Sequence, residues 1–251
     1  MNLKQFHTYI NKKFSVEFSL QREVKIRCPQ CLIGKLDLKE DNLQSAETAK
    51  SKALHAEEYW EPEMVEYEYS CVFYCKHCGC PTYSCGVGYL ETLSGHEDTE
   101  YGYETMFRPK FFVPTIPLIE IHKNCPESVR TILFTSFAIA WSDVSAACNK
   151  LRIAIEKLIA ELHPELNTIP TLHHRIEALK DIKPDIYKLL MAIKFIGNEA
   201  SHDDILREYD LAFGYEVIEL LISNLFDDSK QRLLELVDIV NQQKGTPIRY
   251  D

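Results

Sequence analysis

The chain has 251 residues, 45% of them apolar and 26% charged, which suits a globular protein with one large core or two smaller ones. Its formal net charge of -10 argues against binding a polyanion through bulk electrostatics, and no apolar run approaches the roughly 20 residues that a membrane span needs. The N-terminus, "MNLKQFHTYINKKF", lacks the apolar block of a signal peptide, so a cytoplasmic protein without a membrane partner is expected.

Taken in chain order, residues 1–15 predict a short amphipathic helix with Phe6, Ile10 and Phe14 on one side. "EVKIRCPQCLIGKLDLKE" alternates on both sides of a Cys-x-x-Cys and reads as strand, knuckle, strand. Residues 1–39 carry 8 Lys/Arg against 3 acids and residues 40–68 carry 2 against 9, so any basic face is confined to the N-terminal end. A solvated face is the plainer reading of that charge. "LQSAETAKSKALHAEEYW" has no Gly or Pro and predicts a helix over 43–56. "EMVEYEYSCVFYC" alternates and is rich in Val, Tyr and Phe, which predicts a strand with an aromatic core side. "KHCGCPTYSCGVGYLETL" predicts a second knuckle and another strand.

Residues 94–125 read as a connector, its second half carrying Pro109, Pro114 and Pro117 among apolar residues, with Pro126 just beyond it. Proline favours extended backbone, so a strap laid over a core is expected. From residue 126 the pattern is helical to the end. "PESVRTILFTSFAIAW" starts with a Pro and an acid, as a first helical turn should. In "SDVSAACNKLRIAIEKLIAELH", Ser142 is the expected cap and Leu151, Ile155, Leu158 and Leu162 recur at helical spacing. Thr171 is the expected cap of "TLHHRIEALK", Pro184 opens the next helix, and two more follow. The expected fold is therefore α+β: a small zinc-ribbon-like β module with an inserted helix and a Pro-rich strap over residues 1–120, then an all-α antiparallel bundle over 121–251.

Seven of the nine cysteines fall within residues 28–85, and the count is odd, which points to metal rather than to a disulfide framework. Cys28-Pro-Gln-Cys31 and Cys75-Lys-His-Cys78-Gly form two knuckles with 43 residues between Cys31 and Cys75. Two residues between thiols let both sulfurs of one turn face one ion, and Zn2+ prefers four tetrahedral ligands with thiolate the best of them. Cys28, Cys31, Cys75 and Cys78 are the expected set, while Cys71, Cys80, Cys85 and His77 compete for ligand roles. Four filled positions make the expected Zn2+ structural rather than catalytic.

"KFIGNEASHDD" at 194–204 ends an apolar helix on polar residues. Lys194, Asn198 and His202 are spaced i, i+4, i+8 and line one stripe, beside a core stripe of Ile186, Leu190, Ile193 and Gly197. Arg152 and Glu156, one helix earlier, stand at i, i+4 and invite pairing with each other. Such groups also serve as ordinary caps and surface pairs, so the stripe is a candidate site against that plain alternative. Of the neighbouring features, His173 and His174 point about 100° apart on a helix and are expected to be exposed rather than to share an ion.

Knuckle, strap, "NCPESVRTIL", "AACNKLRIAIEKLI" and "AIKFIGNEASHDD" together resemble the prokaryotic domain of unknown function 4145, over roughly residues 24–225. Members look like part of the HEPN superfamily of helical domains. The resemblance implies a HEPN-like bundle that pairs two-fold. It further implies a role in defence against foreign genetic elements, as in toxin–antitoxin systems, in contact with a partner protein, RNA or a nucleotide. In HEPN ribonucleases a His near neutrality moves the proton and an Arg stabilises the phosphate. Carried over, His202 would transfer the proton, Asn198 would orient the phosphate or the His, and Lys194 or Arg152, with Glu156 beside Arg152, would supply positive charge. The position where active members carry that Arg is Gly197, and Asp203 and Asp204 place negative charge beside the site. Two readings follow: a non-catalytic dimerising or partner-binding module, or a metal-independent RNA endonuclease.

Overall fold

The structure, a computed structural model, describes residues 23–92, 102–199, 206–227 and 229–244. The predicted N-terminal helix at 1–15 lies outside them. Five strands, β1 (Glu23–Arg27), β2 (Lys35–Glu47), β3 (Glu66–Cys75), β4 (Pro81–Thr92) and β5 (Tyr103–Val113), form an antiparallel sheet in sequence order. Period-2 alternation decides which face is buried: Tyr69, Cys71, Phe73 and Cys75 of β3 point inward, while Glu68, Ser70 and Tyr74 face out.

Two sequence expectations are corrected here. The helix predicted over 43–56 is shorter and starts later, because Leu43–Glu47 continue β2 opposite Cys71–Tyr67 of β3. Ladder hydrogen bonds and an aromatic partner strand outweigh the helix propensity of Ala and Glu. The helix that remains, α1 (Ala49–Leu54), is capped by Thr48, whose Oγ1 accepts from Ser51 N at 3.1 Å. Ser51 Oγ in turn donates to Glu47 Oε1 at 2.7 Å and accepts from Glu66 N at 3.1 Å, which ties this turn to the start of β3.

The connector is the second correction. Its residues 103–113 are a full strand, paired with β4 from Tyr103 opposite Thr92 to Val113 opposite Tyr83. Pro109 is tolerated because β5 has one neighbour and the register shifts at Cys85/Gly86. Gly86 fits that bulge as no other residue would: a Cβ there would run into the Arg108 carbonyl oxygen and lie 2.9 Å from Lys110 N. Residues 114–125, between β5 and the first long helix, are irregular with a turn at 123–124, and they bury Ile116, Leu118 and Cys125.

Six further helices follow: α2 (Glu127–Ile139), α3 (Val144–Leu162), α4 (Leu172–Glu177), α5 (Pro184–Glu199), α6 (Glu208–Phe226) and α7 (Ser229–Gln243). α3 is central, packed by α2, α5 and α6, and buries Ala147, Leu151, Ala154, Ile155 and Leu158. Its cap is Asp143, whose Oδ1 accepts from Ala146 N at 2.8 Å; Ser142 instead donates to the Ile139 carbonyl. Thr171 caps α4 as expected. Deep in the bundle, Ser136 Oγ donates to the Ala147 carbonyl at 2.9 Å, which leaves the Tyr215 hydroxyl to donate to Ser136 Oγ at 2.7 Å.

One continuous core joins sheet and helices. The junction is aromatic. Phe73 meets Phe112 at 6.3 Å, and Phe112 meets Trp141 edge-on at 4.8 Å between ring centroids. Arg108 of β5 also reaches Glu208 at the start of α6, 3.3 Å away.

Candidate metal centre and the Asn198 turn

Antiparallel pairing of β2 with β3 assembles the cysteine cluster. The first knuckle precedes β2 and the second follows β3, so the start of one strand meets the end of the other, with Leu36 opposite Cys75. Lys76 N donates to Lys35 O at 3.0 Å and holds the two turns side by side. The intervening chain is spent on the β2–β3 excursion, so a long sequence gap becomes a short distance in space.

Each knuckle is a hydrogen-bonded turn. Cys28 N donates to Gly34 O at 2.8 Å and Leu32 N to Cys28 O at 3.0 Å; Gly79 N donates to Cys75 O at 2.9 Å and Cys75 N to Cys80 O at 3.0 Å. Gly79 sits at φ +72°, a conformation suited to glycine. Gly34, which sequence reasoning passed over, is equally constrained: a Cβ there would strike Cys75 Sγ and lie 2.6 Å from His77 Cβ. The readable signal was a glycine three residues after the second cysteine of the first knuckle.

The sulfurs of Cys28, Cys31, Cys75 and Cys78 all lie within 4.8 Å of one another. Cys28 and Cys78 are 3.7 Å apart, and Cys31 and Cys75 are 3.6 Å apart. A tetrahedron with metal–sulfur bonds of about 2.3 Å has edges of about 3.8 Å, so the donor set fits a four-coordinate thiophilic ion. Backbone amides point at the sulfurs: Gln30 N to Cys28, Gly34 N to Cys31, and His77 N and Cys78 N to Cys75, at 3.3–3.4 Å. The Gly34 and Ile33 amides bring the Cys31 thiol down to about 6. At Cys75 burial opposes ionisation, but the Cys78 and His77 amides outweigh it and the thiol is lowered. Burial keeps Cys28 raised. At Cys78 the Cys80 amide favours the thiolate, yet burial and the neighbouring thiols outweigh it. A cluster that cannot ionise all its thiols without help is one that a cation would complete.

The four expected ligands are thus the four that come together and could hold a metal ion. Cys71 belongs to the buried face of β3, where burial raises its thiol to about 12. Cys85 is exposed on β4, and Cys125 and Cys148 are buried in the strap and in α3. The outer face of the sheet holds an open groove of about 420 Å³ lined by Val72, Tyr83, Cys85, Phe111 and Val113.

At the second candidate site, His202, Asp203 and Asp204 lie outside the described residues. α5 carries Lys194 and Asn198 beside its buried stripe of Leu190, Ile193 and Gly197. At Gly197 α5 comes close to α3: a Cβ there would lie 2.5 Å from Arg152 Cβ and 3.3 Å from the Cys148 carbonyl oxygen. The structure therefore brings Arg152 to the turn that bears Asn198. It does not pair Arg152 with Glu156. Arg152 Nε donates to Asn149 Oδ1 at 3.4 Å, while Glu156 faces Arg175 of α4 at 3.9 Å. The stem of Arg152 is trapped against Gly197, and its head turns back one helical turn instead of forward. Lys194 Nζ stands 4.5 Å from the centre of the Phe195 ring, a cation–π contact on the outer surface. Of the two histidines on α4, His174 is exposed and bonds Thr171, while His173 is half-buried rather than exposed.

Fold and cluster together define an α+β chain: an antiparallel sheet with a four-cysteine cluster able to hold a metal ion, followed by a helical region. Residues 135–243 match the family model described as a domain of unknown function (DUF4145), and residues 16–112 match a second, described as DUF8608. The resemblance read over residues 24–225 therefore divides: the sheet has a family model of its own, and the helical match reaches past 225 to include α7. No curated protein and no solved structure matches the chain. Among the described residues no helix is long and apolar enough to cross a membrane.

Proposed function

We propose that the chain is a prokaryotic defence or stress protein acting through binding rather than catalysis. Its cysteine cluster holds a structural Zn2+, and its HEPN-like bundle pairs with a second copy and presents the Asn198 turn to a partner protein or nucleotide. Four thiolates in a tetrahedral arrangement are the donor set zinc prefers, and they leave no open position for chemistry at the metal.

The packing of Gly197 carries the non-catalytic reading. HEPN nucleases keep an arginine at that place to stabilise charge on the phosphate. Here a side chain would run into Arg152, whose Cβ lies 2.5 Å from where its own Cβ would stand, unless α3 and α5 move apart. The nearby cations are differently employed, Lys194 over Phe195 and Arg152 toward Asn149. A net charge of -10 gives RNA no long-range attraction.

A second reading rests on the same contact. Arg152 stands against the Asn198 turn, so it could replace the missing arginine from the neighbouring helix, with His202 moving the proton. Incubating the purified chain with RNA, with and without divalent metal, separates the two. Intact RNA, together with unimpaired growth of cells expressing the chain, is the expected result. RNA cleavage that disappears in His202→Ala and in Arg152→Ala would replace the first reading with the second.

A further inference from the structure

Among the described residues, nothing covers the apolar side of the last helix. Leu233, Leu234, Leu236, Val237 and Ile239 are 38–59% exposed, and of the side chains from 232 to 244 that of Val240 alone is half-buried. A helix of 15 residues without a packed face is marginal in water. The match to the helical family runs to residue 243, so α7 is part of that domain rather than an appendage. At about 100° per residue, Leu233, Leu236, Val237 and Val240 fall within an arc of roughly 100°. Glu235 and Asp238 lie on the far side of the helix, and no acid interrupts the arc.

We propose that α7 is a self-association surface whose occupant is the α7 of a second copy, packed antiparallel. The inference rests on the dimerising part of the reading above and names the surface that does it. The stripe is symmetric about the point between Leu236 and Val237. A second helix turned end for end sets Leu233 against Val240 and Leu236 against Val237, a larger side chain opposite a smaller one at each step. Such a two-fold contact is closed and buries the same patch on both copies. Antiparallel alignment opposes the two helix dipoles, and the acids of both copies stay in water on the outer sides. The exposed apolar side chains of two such helices, with their flanking stems, amount to on the order of 1,000 Å², the lower end of a specific interface. Association is therefore reversible and concentration-dependent.

Sedimentation velocity of the full chain over a hundredfold range of concentration tests this. Mass should rise from one chain to two. Leu236→Ala with Val237→Ala, which keeps helix propensity high, should raise the concentration of half-association at least tenfold. Leu236→Asp with Val237→Asp should leave a monomer with the helical circular dichroism of the α2–α6 body, and Asp238→Ala should behave as the parent. A parent chain that stays monomeric throughout overturns both the dimeric reading and this surface. A dimer indifferent to all of these substitutions overturns the surface alone.

Discussion

The sheet and the helical bundle are held together by different means. α3 is surrounded by α2, α5 and α6, and its inward residues from Ala147 to Ile159 are sealed from water. Among the described residues, only one face of the sheet is covered. Its inner residues pack toward the helices, while Tyr74, Tyr83, Val87, Phe111 and Val113 stand exposed on the other side. A one-sided sheet buries less apolar area per residue than a wrapped helix and needs another source of stability. On the zinc-binding reading proposed above, that source is the cysteine cluster, placed where β2 begins and β3 ends. A bundle can tolerate the loss of one contact; a sheet pinned at one end cannot lose the pin.

The largest expected effect follows from that contrast. Metal binding to a four-thiolate site contributes on the order of 10 kcal/mol of apparent folding free energy. Cys28→Ser with Cys31→Ser, or treatment with a strong chelator, should take the metal content from about one zinc per chain to none, the single-site stoichiometry of such a centre. Hydrogen exchange should then show β1, β2 and β3 losing amide protection while α2, α3 and α6 keep most of theirs. Simultaneous loss in both regions would break the comparison and make the shared aromatic junction at Phe73, Phe112 and Trp141 the dominant tie.

A smaller effect sharpens the comparison through two glycines. Gly86→Ala sets a methyl group against the Arg108 carbonyl and the Lys110 amide, both backbone and both fixed by the β4–β5 ladder. Gly197→Ala sets one against the Arg152 side chain at 2.5 Å, where two helices can slide apart. Overpacking costs about 1–3 kcal/mol, and the helical substitution recovers about 1 kcal/mol of propensity that the strand one does not. Thermal or urea melts should place Gly86→Ala well below Gly197→Ala. The reverse order would mean that the α3–α5 contact, and not the sheet, is the stiffer part.

The sequence showed most of this where one residue type permits one structure. Paired Cys-x-x-Cys motifs announced the cluster, and the alternation in "EMVEYEYSCVFYC" announced β3. Legibility failed where tertiary pairing overrules local preference. Leu43–Glu47 read as helix because Gln, Ala and Glu favour it, and nothing local reveals that Tyr67–Cys71 will pair with them. β5 was hidden by Pro109, which argues against a strand until the strand is known to lie at an edge. Arg152 and Glu156 have the spacing of a pair, but the spacing does not reveal that Arg175 competes for the glutamate or that Gly197 holds the arginine. Close approach between helices is a property of two segments at once.

The smallest effect is expected at an ion pair that crosses from sheet to bundle. Arg108 Nη2 donates to Glu208 Oε1 at 3.3 Å, with both side chains about one-third exposed. Solvent screening limits such a pair to about 0.2–1 kcal/mol. Arg108→Ala, Glu208→Ala and the double substitution should therefore show a coupling energy inside that range, shrinking as salt is added. A coupling several times larger, insensitive to salt, would mean that water does not reach the seam between β5 and α6. Charge, rather than the Phe112–Trp141 contact, would then hold the sheet against the bundle. A coupling within the expected range or below it leaves the aromatic junction as the tie, in keeping with the burial of Phe112 and Trp141.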